Sequence, residues 1–152
     1  MTPEEQLREV SLSVTRPRVA VLIEVDAHPH ADVGTLTAKV RARLGSVSTQ
    51  AVYDVLRALA DAELIRRIQP AGSPARFESR VGDNHHHVVC RTCGDVADVD
   101  CATGSAPCLE ASNNNGFIID EAEVTYWGIC PTCQQNTQPQ PARPAQEPEG
   151  ES

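Results

Sequence analysis

Six cysteines and five histidines carry most of the chemistry open to this chain of 152 residues, and they fall in a few short stretches. "HHHVVCRTCG" sets His85, His86 and His87 ahead of Cys90 and Cys93. "CPTC" supplies Cys130 and Cys133, "CATGSAPC" holds Cys101 and Cys108, and "AHPHAD" holds His28 and His30. A CxxC pair offers two thiolates from one tight turn. Two such pairs on separate strands make a four-thiolate tetrahedron, the closed geometry of structural zinc. Cys90, Cys93, Cys130 and Cys133 are therefore expected to hold Zn²⁺. The rival redox role expects a CxxC that opens a helix in a βαβ unit, and neither pair reads that way. Cys101 and Cys108 are spaced too widely for a knuckle. They read as two small, partly buried thiols or as an auxiliary pair able to oxidise or bind metal.

The histidine run can serve a second centre. Side chains alternate along a strand, so His85 and His87 point to one face while His86, Val88 and Cys90 point to the other. Two imidazoles hold a metal weakly. Asp98, Glu78 and His28 or His30 are the candidates to complete the set, against the plainer reading of solvated histidines on an exposed strand.

The elements that must position these groups change character along the chain. Pro3–Glu9 reads as a helix capped by Thr2, and "TRPRVAVLIEVDAHPHA" starts a second at Thr15, with Pro17 in its first turn. "DVGTLTAKVRARLG" reads as a third, from Asp32 to a stop at Gly45. "SVSTQAVYDVLRALADAELI" reads as a fourth, with Ser48 as cap and an apolar stripe of Val52, Leu56, Leu59 and Ala60. "LIRRIQPAGSPARFESR" then reads as a hairpin. Helices followed by such a hairpin follow the winged helix-turn-helix plan, which lays the fourth helix in the DNA major groove. After residue 80 the strands "HHHVVC", "VADVDC" and "EVTYWGIC" surround a short helix, "APCLEASNN", and a turn, "NNNG". The expected class is α+β: a winged helix over 1–80, a small α/β dimerisation unit over 81–134, and a disordered tail over 135–152, where the composition turns to Gln and Pro.

Charge divides the same way. The net charge is −8, yet residues 1–80 carry 11 Lys and Arg against 10 Asp and Glu, and residues 81–152 carry 2 against 11. Such asymmetry suggests two modules with different partners. Aromatics are only 3%, so the core must be aliphatic. No apolar run reaches the roughly 20 residues of a bilayer span, and the N-terminus lacks a signal peptide's apolar region. A cytoplasmic protein with no membrane partner is expected, in a reducing compartment where cysteines serve metal or redox chemistry.

"HHHVVCRTCG", "AHPHAD", "RFES" and "CPTC" together resemble the ferric uptake regulator (Fur) superfamily over about residues 5–134. The longer pattern "RVGDNHHHVVCRTCGDVADVDC…APCL…NGF…DEAEVTYWG" is similar to its actinobacterial FurA/CatR branch, which is related to the PerR peroxide sensors. The resemblance implies a homodimeric, metal-dependent repressor of a palindromic DNA operator, not an enzyme. It implies structural zinc on the four paired cysteines and a hinge site for Fe²⁺ or Mn²⁺ on His28, Glu78, His85, His87 and Asp98. Five O/N ligands without a thiolate suit those ions better than a zinc sensor. Peroxide sensors of the family carry Asp where iron sensors usually carry Glu. Asp98 thus implies a site at which peroxide oxidises a ligand histidine and releases DNA; an iron- or nickel-responsive uptake regulator is the alternative. The implied DNA-facing residues are Arg16, Arg18, Ser48, Gln50, Tyr53 and Arg57, with Tyr53 at the family's base-contacting position. Ala122 stands where the family's further metal site has a histidine, and Asp54 and Ser13 replace basic or amide residues near DNA. A zinc-ribbon oxidoreductase or hydrolase is the rival from another class; the element order and the lack of a nucleophile–base pair weigh against it.

Overall fold

The computed structural model describes residues 1–136. Four helices come first: α1 (Pro3–Glu9), α2 (Arg16–Ala27), α3 (Val33–Leu44) and α4 (Thr49–Asp61). Each opens on a side-chain cap that satisfies otherwise orphaned backbone donors. Thr2 makes a capping box with Glu5, Thr15 accepts from Arg18 N, Asp32 from Thr35 N and Ser48 from Ala51 N. α3 ends at Gly45, whose φ of +89° is costly for any other residue.

The apolar faces of these helices meet in one aliphatic core of Leu7, Val21, Val25, Leu36, Val40, Val52, Leu56 and Leu59, closed by Ile65 and Phe77. Truncating one such leucine to alanine costs about 2–5 kcal/mol. Strands β2 (Arg66–Ile68) and β3 (Arg76–Glu78) form the wing, turning through Gly72 at φ +74°. A two-residue strand, β1 (Ala31–Asp32), adds to the other edge of β3, giving the order β1-β3-β2. The sequence pattern did not reveal β1, because two residues carry no periodicity.

The second sheet runs β5-β4-β6. β4 (His85–Cys90) pairs antiparallel with β5 (Val96–Asp100) and parallel with β6 (Thr125–Gly128). The α+β class and the order of helices, wing and small sheet match the expectation. Two details do not. "APCLEASNN" forms no helix; the Asn113 and Asn114 side chains accept from the backbone N–H groups of Asn115 and Gly116 and shape a turn instead. The chain is also ordered beyond Cys133: α5 (Pro131–Asn136) takes in Gln134, Gln135 and Asn136, and the Gln134 amide donates to Ile129 O at 2.7 Å. The rest of the expected tail, 137–152, lies outside the described residues. Among the described residues no helix is long and apolar enough to cross a membrane.

Arginines bridge the two sheets. Arg76 donates to His30 O and to Gly94 O, each at 3.0 Å. Arg66 contacts Glu123 at 3.0 Å and Glu121 at 3.4 Å. Arg80 contacts Asp83 and Asp100, both at 2.7 Å, and lies 3.6 Å from Asp98.

Candidate metal centres

The joint between the sheets is built on Glu78, the last residue of wing strand β3. Its carboxylate is 1% exposed, a costly place for a charge without partners. β4 supplies the partners by alternation. His85 Nε2 lies 2.8 Å from Glu78 Oε1, and His87 Nε2 lies 3.2 Å from both Glu78 oxygens. Asp98 stands directly opposite His87 in the β4–β5 pairing, which puts both side chains on one face; its Oδ1 is 3.4 Å from His87 Nε2 and 3.7 Å from His85 Nε2.

The remaining imidazole is His30. Its Nε2 lies 2.8 Å from Asp98 Oδ1 and 3.1 Å from Glu78 Oε2. One donor atom each from His30, Glu78, His87 and Asp98 falls within 4.8 Å of all the others. His28 is not brought into this cluster. It terminates α2, and its Nδ1 contacts Glu24 O at 3.2 Å and a Glu24 carboxylate oxygen at 3.3 Å one turn back. The chain then turns through Pro29 and through His30 itself, at φ +67°. The His30 N–H donates to Phe77 O at 2.9 Å, which docks the residue beside Glu78. The histidine the resemblance selects is thus the one the backbone turns away, and the second histidine of "HPH" takes its place. That doublet was the only sequence signal for His30.

The electrostatics favour a cation here. Burial alone would raise the Glu78 carboxyl, but hydrogen bonds from His30 and His87 and the charges of His87 and His85 hold it well below the usual carboxylate range. The Glu78 hydrogen bond, with lesser help from Asp98, raises His30 despite its partial burial. Asp83, missed in the sequence, accepts from His85 Nδ1 at 2.7 Å. That contact fixes the ring and leaves Nε2 aimed at the centre, the arrangement that carboxylate–imidazole pairs give metal ligands. Three imidazoles and two carboxylates converge with no thiolate among them, a donor set that fits Fe²⁺ or Mn²⁺.

Cys90, Cys93, Cys130 and Cys133 gather their sulfurs within 4.8 Å of one another. The Cys93–Cys130 Sγ separation is 3.7 Å; a tetrahedron with Zn–S bonds of about 2.3 Å has edges of about 3.8 Å. The thiols are poised for a dication. Backbone N–H groups of Cys130 and Cys93 pull Cys90 down to about 6, whereas its crowded thiol neighbours, Cys130 first, push Cys133 up to about 12. "CPTC" opens a helix, the six-residue α5, but among the described residues no strand follows it, so it is not the helix of a βαβ unit. The four-sulfur geometry carries the zinc assignment. Cys101 and Cys108 form a separate cluster with His86 on the opposite face of β4.

α4 presents the residues expected at DNA. Tyr53 is 48% exposed, and Gln50 and Arg57 are exposed on the same helix. Gln50 donates to Asp54 at 2.9 Å, so the acid is partly satisfied within the helix. The Ser48 hydroxyl is engaged as the α4 cap. Arg16 is exposed at the start of α2, while Arg18 bends back to Ser13 O at 2.8 Å.

Comparison with known proteins then decides the family. The profile of the ferric uptake regulator family matches residues 9–127. The chain belongs to this family. Among curated Fur proteins, it is 68% identical over 129 residues to the transcriptional regulator FurA of Mycobacterium tuberculosis, covering 85% of this chain and 88% of that one. It is 62% identical over 121 residues to ferric uptake regulation protein 1 of Mycolicibacterium fortuitum, covering 80% and 75%. The fold resembles that of the Vibrio cholerae ferric uptake regulator, with a TM-score of 0.60 at 24% identity over 84% of this chain and 98% of that one. The Fur membership rests on chain-wide matching, and the centres above rest on geometry.

Proposed function

We propose that this Fur-family chain is a cytoplasmic, metal-responsive repressor that binds a palindromic DNA operator as a homodimer. Zn²⁺ on Cys90, Cys93, Cys130 and Cys133 fastens β4 to the end of β6 and to α5. Fe²⁺ or Mn²⁺ is held by His30, Glu78, His85, His87 and Asp98. The observation that carries this reading is the meeting of Glu78, on the wing, with His85 and His87, on the small sheet. A ligand set shared by both sheets fixes the angle between them. It therefore fixes where α4 stands relative to α4 of a second copy, and half-sites on DNA demand a set spacing. For the ion to act as effector it must favour one arrangement; about 2.7 kcal/mol of coupling gives a roughly 100-fold change in DNA affinity.

Iron-responsive repression is the plainer form of this reading, and it agrees with the name "ferric uptake regulation protein" carried by a relative at 62% identity. A peroxide response is favoured by one observation. The short Asp98 side chain is 31% exposed, whereas His85 and Glu78 beside it are sealed, so the centre meets solvent at Asp98. Fe²⁺ held there would supply the redox chemistry through which peroxide oxidises a neighbouring side chain, which Mn²⁺ would supply poorly. His30, His85 and His87 lie beside Asp98, and one of these rings would take one peroxide oxygen, giving up two electrons while the other oxygen leaves as water. Tryptic mass spectrometry of Fe²⁺- and Mn²⁺-loaded protein after peroxide separates the two forms. Oxygen on a ligand histidine only with Fe²⁺ supports peroxide sensing; unmodified histidines with both ions leave iron sensing.

A further inference from the structure

On the opposite face of β4 from the Glu78 centre, His86 is 4% exposed and points away from its two histidine neighbours. Cys101 and Cys108 reach it from the loop that follows β5. One donor atom each from His86, Cys101 and Cys108 lies within 4.8 Å of the other two, and His86 Nε2 is 3.1 Å from Cys108 Sγ. The loop is held in this position. Asn84 donates to Ser105 O at 3.2 Å, and the Thr103 hydroxyl donates to the same oxygen at 3.2 Å.

We propose that His86, Cys101 and Cys108 form a separate site for a thiophilic divalent cation such as Zn²⁺, with solvent completing the coordination. Two sulfurs and one imidazole are a borderline-soft set, which favours Zn²⁺ or Co²⁺ over the ions suited to the oxygen-rich Glu78 centre. Three protein ligands plus a solvent position is a recognised zinc arrangement. Both cysteines are partly exposed, so solvent and ion have access, while the buried imidazole fixes one corner. Thr103 Oγ1 also lies 3.3 Å from Cys101 Sγ, which ties that sulfur to the same loop.

The ring also specifies what binding must change. Val124 N–H donates to His86 Nδ1 at 3.3 Å, so in the metal-free chain the ring proton sits on Nε2 and faces Cys108. An ion at Nε2 displaces that proton, the ring takes one up at Nδ1, and the long bond from Val124 is given up. Occupancy is thereby linked to the residue just before β6.

The test uses full-length protein with Zn²⁺ already in the four-cysteine site, titrated with Co²⁺ under reducing conditions. The Glu78 centre has no thiolate, so a thiolate-to-cobalt charge-transfer band reports only a sulfur site. Zinc content is measured in the same sample, so exchange into the four-cysteine site is seen as zinc release. The expected result is a charge-transfer band that saturates by about two cobalt ions per chain, one here and one at the sulfur-free Glu78 centre, with zinc retained. The band is lost in a Cys101→Ser/Cys108→Ser double variant that still takes up cobalt at the sulfur-free centre. His86→Ala, which spares both thiols, should weaken the band's midpoint by about tenfold or more. No band with zinc retained, a band that grows only as zinc is released, or a band that survives in the double-serine variant overturns the site.

Discussion

Glu78 and His87 belong to different sheets, and their side chains meet end-on: His87 Nε2 lies 3.2 Å from each oxygen of a carboxylate that is 1% exposed. A buried acid is tolerated at this seam because imidazoles from β4 surround it. With His85 and His30 it makes the seam a site that a cation tightens and whose loss leaves an uncompensated charge. His30→Ala should therefore reduce Mn²⁺ affinity on the order of 100-fold, whereas His28→Ala should change it by only a few-fold. Calorimetric titration of both variants checks this. The reverse order would restore His28 as the ligand and mean that the chain re-turns at Pro29 when metal binds.

Tyr53→Ala should weaken operator binding by about 1–3 kcal/mol and leave metal content unchanged. Tyr53 is exposed on α4 and lies in neither metal cluster. Anisotropy with labelled operator and elemental analysis of the same preparation read the two halves of this statement. Undiminished affinity would mean that α4 does not face the bases.

Much of this was legible in the sequence because the signals were local. Caps at Thr2, Thr15, Asp32 and Ser48 mark helix starts through side-chain chemistry, and strand alternation alone sends His85 and His87 to one face and His86 to the other. What failed was set by three-dimensional context. His28 and His30 are two residues apart, and only the φ +67° turn at His30 and its bond to Phe77 decide which one faces Glu78. "APCLEASNN" has a helical composition, yet it forms no helix, and the side chains of its last two residues, Asn113 and Asn114, accept from the N–H groups of Asn115 and Gly116 beyond it and set a turn. α5 was hidden because the polar composition after Cys133 suggests disorder, while the sulfur cluster anchors the chain there.

Cys93→Ser should lose the bound zinc and loosen the second sheet, since apolar burial there is slight and metal binding contributes folding energy directly. Sedimentation and metal analysis should show zinc loss together with loss of the dimer. Retained zinc stoichiometry with intact dimer mass would refute the four-thiolate assignment.

Asp32→Ala should destabilise the N-terminal helices by about 1 kcal/mol through loss of the α3 cap. The Thr35 N–H lowers the Asp32 carboxyl below its ordinary value. The cap's ionic contribution is thus present above the unfolded carboxylate's range and disappears as pH falls through the lowered folded value. Urea unfolding of wild type and variant, both zinc-loaded, should differ by this amount near neutrality and converge in acid. A constant difference across that range would show that the cap acts without its charge.

The central claim, that the seam at Glu78 governs DNA binding, is tested most directly by operator affinity with and without Mn²⁺. The duplex is one selected from a random library by Mn²⁺-loaded protein, and wild type is compared with Asp98→Ala and Glu78→Ala, all with zinc retained. Wild type should bind about 100-fold tighter with Mn²⁺, and both variants should keep only the weak, metal-independent affinity. Equal wild-type affinity with and without Mn²⁺, or a full Mn²⁺ response in either variant, would contradict the account.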